Sequence, residues 1–208
     1  MIQAEAPILA PDGSAYERGP ERFERLTRAI EAVWPVKKSW DKGEEMDDRA
    51  SAAVANAAER GQRIDRYCCE FAEFGSVKTD DDEREDVLQG VEAFARWWDA
   101  TKAEFVSAQE TLYDEDAGIA GTLDLKLRID GLATIIDIKR TWAVERTHWM
   151  LQLGGLIYMD HRSIVHKCAV LHLGPKFAGG YKWREYDAIA CMEAWGEVRA
   201  VWMRAKTL

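Results

Sequence analysis

The sequence predicts an α/β domain, a short mixed β-sheet flanked by helices and preceded by a helical N-terminal half. Residues Thr122 to Arg128 alternate, with Leu123, Leu125 and Leu127 on one face and Asp124, Lys126 and Arg128 on the other. Thr134 to Lys139 is β-branched and apolar until Asp137 and Lys139, and Asp130-Gly131 between the two runs is a hairpin turn signal. Before and after this hairpin, apolar residues recur at helical spacing. The 208 residues, 47% of them apolar, read as one domain spanning 1–208, with no internal repeat and no dividing linker.

Taken in order, residues 1–19 contain Pro7, Pro11, Gly13 and Gly19 without a sustained period and read as an extended lead-in. Pro20 to Val33 reads as a short helix with Phe23, Leu26 and Ile30 on one side, ended by Trp34-Pro35. Trp40 is a hydrophobic anchor or part of a substrate-facing surface. Asp47 or Asp48 caps a long amphipathic helix whose stripe is Ala50, Ala53, Val54, Ala57, Ile64, Cys68 and Phe71. Another helix starts at Thr79 to Asp82, with Val87, Val91, Phe94 and Trp98 inward.

Phe105 to Tyr113 reads as one strand before the hairpin, opening a core at 105–173, and Asp114, Glu115 and Asp116 as a solvated loop. After the hairpin, Thr147 caps a helix to about Met159, which places Gln152 in its second turn. Gly154-Gly155 within it costs roughly 1 kcal/mol per glycine relative to alanine, a cost that implies close packing against the sheet. His166 to Leu173 is a buried strand, paired with Tyr181 to Glu185 across Gly179-Gly180. Asp187 caps a closing helix through about Ala205, with Cys191, Trp195, Val198 and Trp202 as its stripe.

A net charge of −9 argues against a protein that coats nucleic acid by bulk electrostatics, but the charge is uneven. From Gly121 to Arg184 there are ten Lys and Arg against five Asp and Glu, a balance of +5 that leaves −14 elsewhere. A local phosphate-binding surface on an acidic body fits this, as do scattered solvated charges. No apolar run approaches the roughly 18 residues of a membrane span and the N-terminus lacks signal-peptide regions, so a soluble cytoplasmic protein with no membrane partner is expected. Cys68, Cys69, Cys168 and Cys191 suit neither a disulfide framework nor a C-x-x-C knuckle.

With Asp130 and Gly131 as the loop, Asp124 falls opposite Asp137. Facing Cβ atoms lie roughly 4.5–5.5 Å apart, where two like charges repel by about 3 kcal/mol at an effective dielectric near 20. A divalent cation between them turns that repulsion into a binding site, since Mg²⁺ or Mn²⁺ takes oxygen ligands from one or two carboxylates plus waters. Lys139 points to the same side as Asp137, where an ammonium stabilises hydroxide or developing phosphate charge.

The ordered set Gly121-Thr122-Leu123-Asp124, hairpin, Asp137-Ile138-Lys139 and helical Gln152 resembles the PD-(D/E)XK nuclease superfamily. Within it, the set is most similar to the branch of the RecBCD nuclease domain, phage lambda-type exonucleases and the CRISPR-associated iron-sulphur nucleases. The resemblance covers roughly 50–158. It implies a restriction-endonuclease-like core, one or two Mg²⁺ or Mn²⁺ ions held by Asp124, Asp137 and the Ile138 carbonyl, Lys139 as the catalytic lysine, and Gln152 orienting it or the nucleophile. Glu110 matches a glutamate upstream of the GTLD strand that completes the acidic cluster; its other reading is an exposed strand residue. Ala58 to Asp65 resembles an RGT-x-x-H segment that supplies a metal-ligating histidine, with Asp65 at that position and Gln62 for the threonine. Asp65 otherwise reads as a surface carboxylate paired with Arg66 or Arg63, and Glu70 is a weaker substitute.

The tyrosine common four residues after the glutamine is Leu156 here, and the C-terminal cysteine cluster of the iron-sulphur members is missing, so no such cluster is expected. Arg140, Trp142, Arg146 and Trp149 surround the site in sequence as DNA-contact candidates, with core packing an equal reading for the tryptophans. His148 is too isolated to be assigned as a ligand. The resemblance implies DNA as substrate, attacked from an end, in recombination, repair or phage DNA processing. A recombination or single-strand-binding partner and a homo-oligomer stay open, as do a catalytically silent nuclease-fold module and a metal-dependent hydrolase of RNA or nucleotides.

Overall fold

A computed structural model of the chain describes residues 6–11, 13–35, 48–140, 146–161 and 164–207, with the side chains of 48–50 and 146 left aside. Trp40, Asp47, Trp142 and the Arg146 side chain therefore lie outside the described residues. Among those described, the chain forms two five-stranded mixed sheets and five α-helices, the α/β class expected.

The first sheet runs in the order β1 (Ile8–Leu9), β2 (Ala15–Arg18), β3 (Glu21–Arg25), β6 (Ile119–Thr122), β5 (Thr111–Asp114). Much of the expected lead-in is thus sheet. Gly13 and Gly19 take the positive φ of the connecting turns, and Ala15 and Tyr16, on opposite faces of β2, are both buried. Glu21–Arg25, expected as helix, is β3, because Phe23 pairs with Tyr16 and packs with it and Ala120. The helix α1 starts only at Leu26 and ends at Val33.

The second sheet has the order β10 (Tyr181–Tyr186), β9 (Lys167–Leu173), β8 (Leu132–Lys139), β7 (Leu125–Ile129), β4 (Glu104–Ala108). β8 and β9 are parallel and the other pairs antiparallel. On one face Leu125, Leu127, Ile136 and Ile138 meet α2 (Asp48–Phe74) and α3 (Glu85–Thr101) through Ile64, Tyr67, Phe94 and Trp97. On the other, Ile135 and Val170 meet α4 (Arg146–Met159) and α5 (Ala188–Ala205) through Trp149, Leu153 and Cys191.

The hairpin register is the one expected, with Leu125 facing Ile136. Its first strand is not continuous, however. Thr122 ends β6 in one sheet and Leu125 begins β7 in the other, and Leu123 packs with α1, α4 and α5 while Leu125 and Leu127 pack with α2 and α3. The run Phe105 to Tyr113 breaks in the same way at Gln109-Glu110.

Other expectations shift for physical reasons. Ala53, Val54 and Ala57 are exposed, because only the second half of α2 lies on the sheet. α3 begins at Glu85, after Arg84 as its extended N-cap residue, and α4 already includes Thr147 as a helical residue. Asp114 is buried rather than solvated, accepting from Ala117 N and from Arg199 Nη2 at 3.0 Å. Lys126, on the strand face opposite the three leucines, is buried against Asp160. Gly154 and Gly155 do mark close packing, but against helices: a Cβ at Gly154 would lie 2.0 Å from the Cys191 carbonyl oxygen of α5, and one at Gly155 2.5 Å from Leu26 of α1. Asp187 caps α5 as expected, accepting from Ala190 N at 2.8 Å.

Candidate functional site

The two breaks in the strand pair coincide. One register runs through from Thr111 facing Thr122 to Ala108 facing Leu125, with Gln109 N donating to Asp124 O at 3.1 Å and Leu123 N donating to Glu110 O at 3.0 Å. The pair therefore leaves one sheet and enters the other together. Asp124 sits in the gap, half-buried, where neither sheet covers it.

Asp124 Oδ2 accepts the Ile138 N–H at 2.8 Å, across the hairpin from its own strand. Asp137, two residues before Lys139 on β8, is buried, and its Oδ1 accepts both Lys139 Nζ at 2.8 Å and Gln152 Nε2 of α4 at 2.9 Å. Asp137 Oδ2 is buried with no hydrogen-bond partner among the described residues. Asp65 of α2 faces the same space, a cavity of about 280 Å³ lined by Asp65, Asp124, Asp137, Lys139 and Gln152. The expected Asp124, Asp137, Lys139, Gln152 and Asp65 are thus brought together by a hairpin and two helices distant in sequence.

The electrostatics are those of crowded carboxylates. Burial first, then the Asp137 charge, pushes the Asp124 carboxyl up to about 7, against Lys139 and the Ile138 N–H, which favour its charged form. Burial and Asp124 likewise push Asp65 up to about 8, with Asp137 adding to the shift and Lys139 opposing it. Burial works against the Lys139 charge but is outweighed by Asp137, Asp124 and Asp65, which hold it above the ordinary lysine value. Among the described residues, no three His, Cys, Asp or Glu side chains are already gathered as a metal cage.

Other expected residues lie elsewhere. Glu110 is on the turn between β4 and β5, its carboxylate accepting from Ser107 Oγ at 3.1 Å, and its neighbour Gln109 lines the cavity instead. Arg140 is turned to Asp86 of α3 at 3.3 Å, a carboxylate it shares with Arg60 and Arg84. Trp149 is buried on the sheet, edge-on to His172, so its ring is not offered to a ligand.

The sequence reading missed the opposite wall. Arg25, the N-cap residue of α1, and Leu26 and Thr27, its first residues, line the cavity with Tyr16, whose hydroxyl bonds Thr122 Oγ1 at 2.8 Å. The first turn of α1 has no acidic residue and no side-chain cap, so its N–H groups are unneutralised. The available signal was Gly19-Pro20, a turn dipeptide between two short alternating runs.

No protein-family model matches the chain, and no curated protein matches it in sequence. Among solved structures it is similar to an alkaline exonuclease (LHK-Exo) from Laribacter hongkongensis, with 10% identity, TM-score 0.42, and 89% of this chain and 92% of that chain covered. A structure of LHK-Exo in complex with dAMP gives 16% identity and TM-score 0.43, covering 88% of each chain. SSO0001 gives 14% identity and TM-score 0.39, covering 86% of this chain and 75% of that one. At this level of similarity the chemistry has to come from the cavity's own residues. Among the described residues, no helix is long and apolar enough to cross a membrane.

Proposed function

We propose that the chain is a divalent-metal-dependent nuclease that hydrolyses phosphodiester bonds in DNA, acting from an end. The observation that supports this most is the convergence of Asp124, Asp137, Lys139 and Gln152 on one cavity, with the Asp137 oxygen held by both the lysine and the glutamine. The same four residues carry the motif resemblance.

The residues fit a hard cation. The Asp124 carboxylate, whose charge is opposed by burial and by Asp137, and Asp137, with a buried oxygen that has no partner among the described residues, form a donor set that Mg²⁺ or Mn²⁺ stabilises. Asp124, Asp137 and the Ile138 carbonyl would hold it, with Asp65 as a further carboxylate from α2. When bound, such an ion lowers the pKa of water and offsets phosphate charge. Lys139 supplies a fixed positive charge beside Asp137 for the developing negative charge of the phosphate. Gln152, the second donor to Asp137 Oδ1, keeps that carboxylate from turning. Arg25, Thr27 and the first-turn N–H groups of α1 hold a phosphate on the opposite wall.

The test is digestion of end-labelled linear and closed circular DNA with Mg²⁺, Mn²⁺ or chelator, by native protein and Lys139→Ala, with RNA in parallel. Metal-dependent loss of linear DNA alone, at least about 100-fold slower in the variant, is expected. Cutting of the circle replaces end-dependent action with internal cleavage. Cutting of RNA alone replaces the substrate. Absence of cutting of every substrate by folded protein overturns the reading.

A further inference from the structure

Of the three non-glycine residues with positive φ among those described, two have ordinary reasons for it. Lys102 ends α3 as a left-handed cap, and Asp130 shares the β7–β8 hairpin loop with Gly131. Gln109, with φ of 50°, stands at the bend between β4 and β5, where the chain leaves one sheet for the other, and at neither a helix end nor a hairpin loop. A glycine would adopt this conformation without strain, and asparagine or aspartate more readily than glutamine. Strain of this kind persists where the side chain is used.

The Gln109 side chain is placed for use. It lies opposite Asp124 in the continuous register of the strand pair, as Asp137 lies on Asp124's other side, so the three form a row across neighbouring strands. It also lines a second cavity of about 370 Å³ that meets the first at Gln62, Asp65, Gln109 and Asp124. Its amide has a fixed sense. The Cys69 thiol donates to Asp124 O at 3.4 Å. The sulfur then accepts from Gln109 Nε2 at 3.4 Å, which leaves Oε1 as the end of the amide with no partner among the described residues.

We propose that Gln109 is a further residue of the reaction centre, its Oε1 holding the attacking water by accepting a hydrogen bond beside Asp124 and Asp65. The inference rests on the hydrolytic reading above. Gln109 is chemically unchanged by this role: it takes no proton and only fixes the position and orientation of the water.

The decisive variant is Gln109→Gly, because a role in backbone structure and a role at the water predict opposite outcomes. Relief of the left-handed strain keeps the thermal midpoint in chelator at or above that of native protein. Loss of the oxygen lowers kcat on linear DNA by about tenfold with KM unchanged, the size of one hydrogen bond. Gln109→Glu places a third carboxylate beside Asp124 and Asp65 and enlarges the Mn²⁺-induced rise in thermal midpoint. Native kcat in Gln109→Gly overturns the proposal, as does a kcat loss matched by a fall in thermal midpoint. If native protein cuts nothing, the hydrolytic reading fails on its own. The Mn²⁺ shift then decides for Gln109: enlargement in Gln109→Glu keeps it at the centre, and no enlargement removes it.

Discussion

Replacing Asp124 with asparagine should make the metal-free protein more stable while abolishing its response to metal. An acid moved from 3.8 to about 7 has its charged form destabilised by about 4 kcal/mol in the folded state. The asparagine oxygen can still accept the Ile138 N–H, so the variant removes the charge and keeps the contact. Water reaching the cavity screens part of the cost, and about half of it, roughly 2 kcal/mol, is expected as a gain. For a domain of this size that is a rise of about 4–8 °C in thermal midpoint. The sign fixes the pH window. A raised folded value means that native stability is intact below the unfolded value near 4 and is lost as pH rises through about 7. The gap between variant and native should therefore open between about pH 4 and pH 8 and close below it. Saturating Mn²⁺ reverses the order: at 100 times Kd it adds about 2.7 kcal/mol to native protein and little to the variant. Thermal melts in chelator at several pH values, repeated with Mn²⁺, read both effects. An Asp124→Asn protein that melts at or below native at about pH 8 in chelator, or a gap independent of pH, would refute the crowded-carboxylate account.

Three further outcomes follow from the packing and charges. Gly154→Ala should destabilise by about 3 kcal/mol or more in urea unfolding, because the added methyl meets the Cys191 backbone oxygen of α5, which cannot swing away; a loss under about 1 kcal/mol would show that α4 and α5 pack less closely. Asp114→Asn should cost about 2 kcal/mol at neutral pH. Burial opposes the charge of Asp114, but the Arg199 guanidinium and the Ala117 N–H hold its carboxyl below the ordinary value. The native advantage is therefore present above about pH 4 and fades as pH falls through the folded value, and a cost unchanged at low pH would remove the ion pair as its source. Asp65→Asn should reduce the Mn²⁺-induced rise in thermal midpoint, whereas a full native rise would place Asp65 outside the metal's reach.

Much of the site was legible because it depends on local chemistry. Asp130-Gly131 sets the hairpin and so the relation of Asp124 to Asp137, alternation places Lys139 beside Asp137, and a helical run carries Gln152 to the same carboxylate. The N-terminal wall was not legible. β1 to β3 are short, and their few inward residues find partners such as Ala120 and Thr122 about a hundred positions away, which no local period announces. Asp114 was read as solvated because charge usually is, and Lys126 only as part of the polar face of its strand. Their partners Arg199 and Asp160 lie 85 and 34 residues distant.

The break in the strand pair is the most instructive difference, because alternation hid it. Leu123, Leu125 and Leu127 are all fully buried, as one strand face should be, yet Leu123 serves one core and the other two serve another. Neither Leu123-Asp124 nor Gln109-Glu110 contains a glycine or proline to mark a bend. The backbone bonds Gln109 N to Asp124 O and Leu123 N to Glu110 O keep the two chains in register through the crossing. This crossing explains why a carboxylate can occupy the position at all. Within a sheet covered on both faces by helices, Asp124 would be buried without water. At the gap between two sheets it stays half-buried and open to the cavity, close enough to Asp137 to be repelled and exposed enough to meet a cation. Straightening the strand would therefore remove the site even with every one of its residues kept.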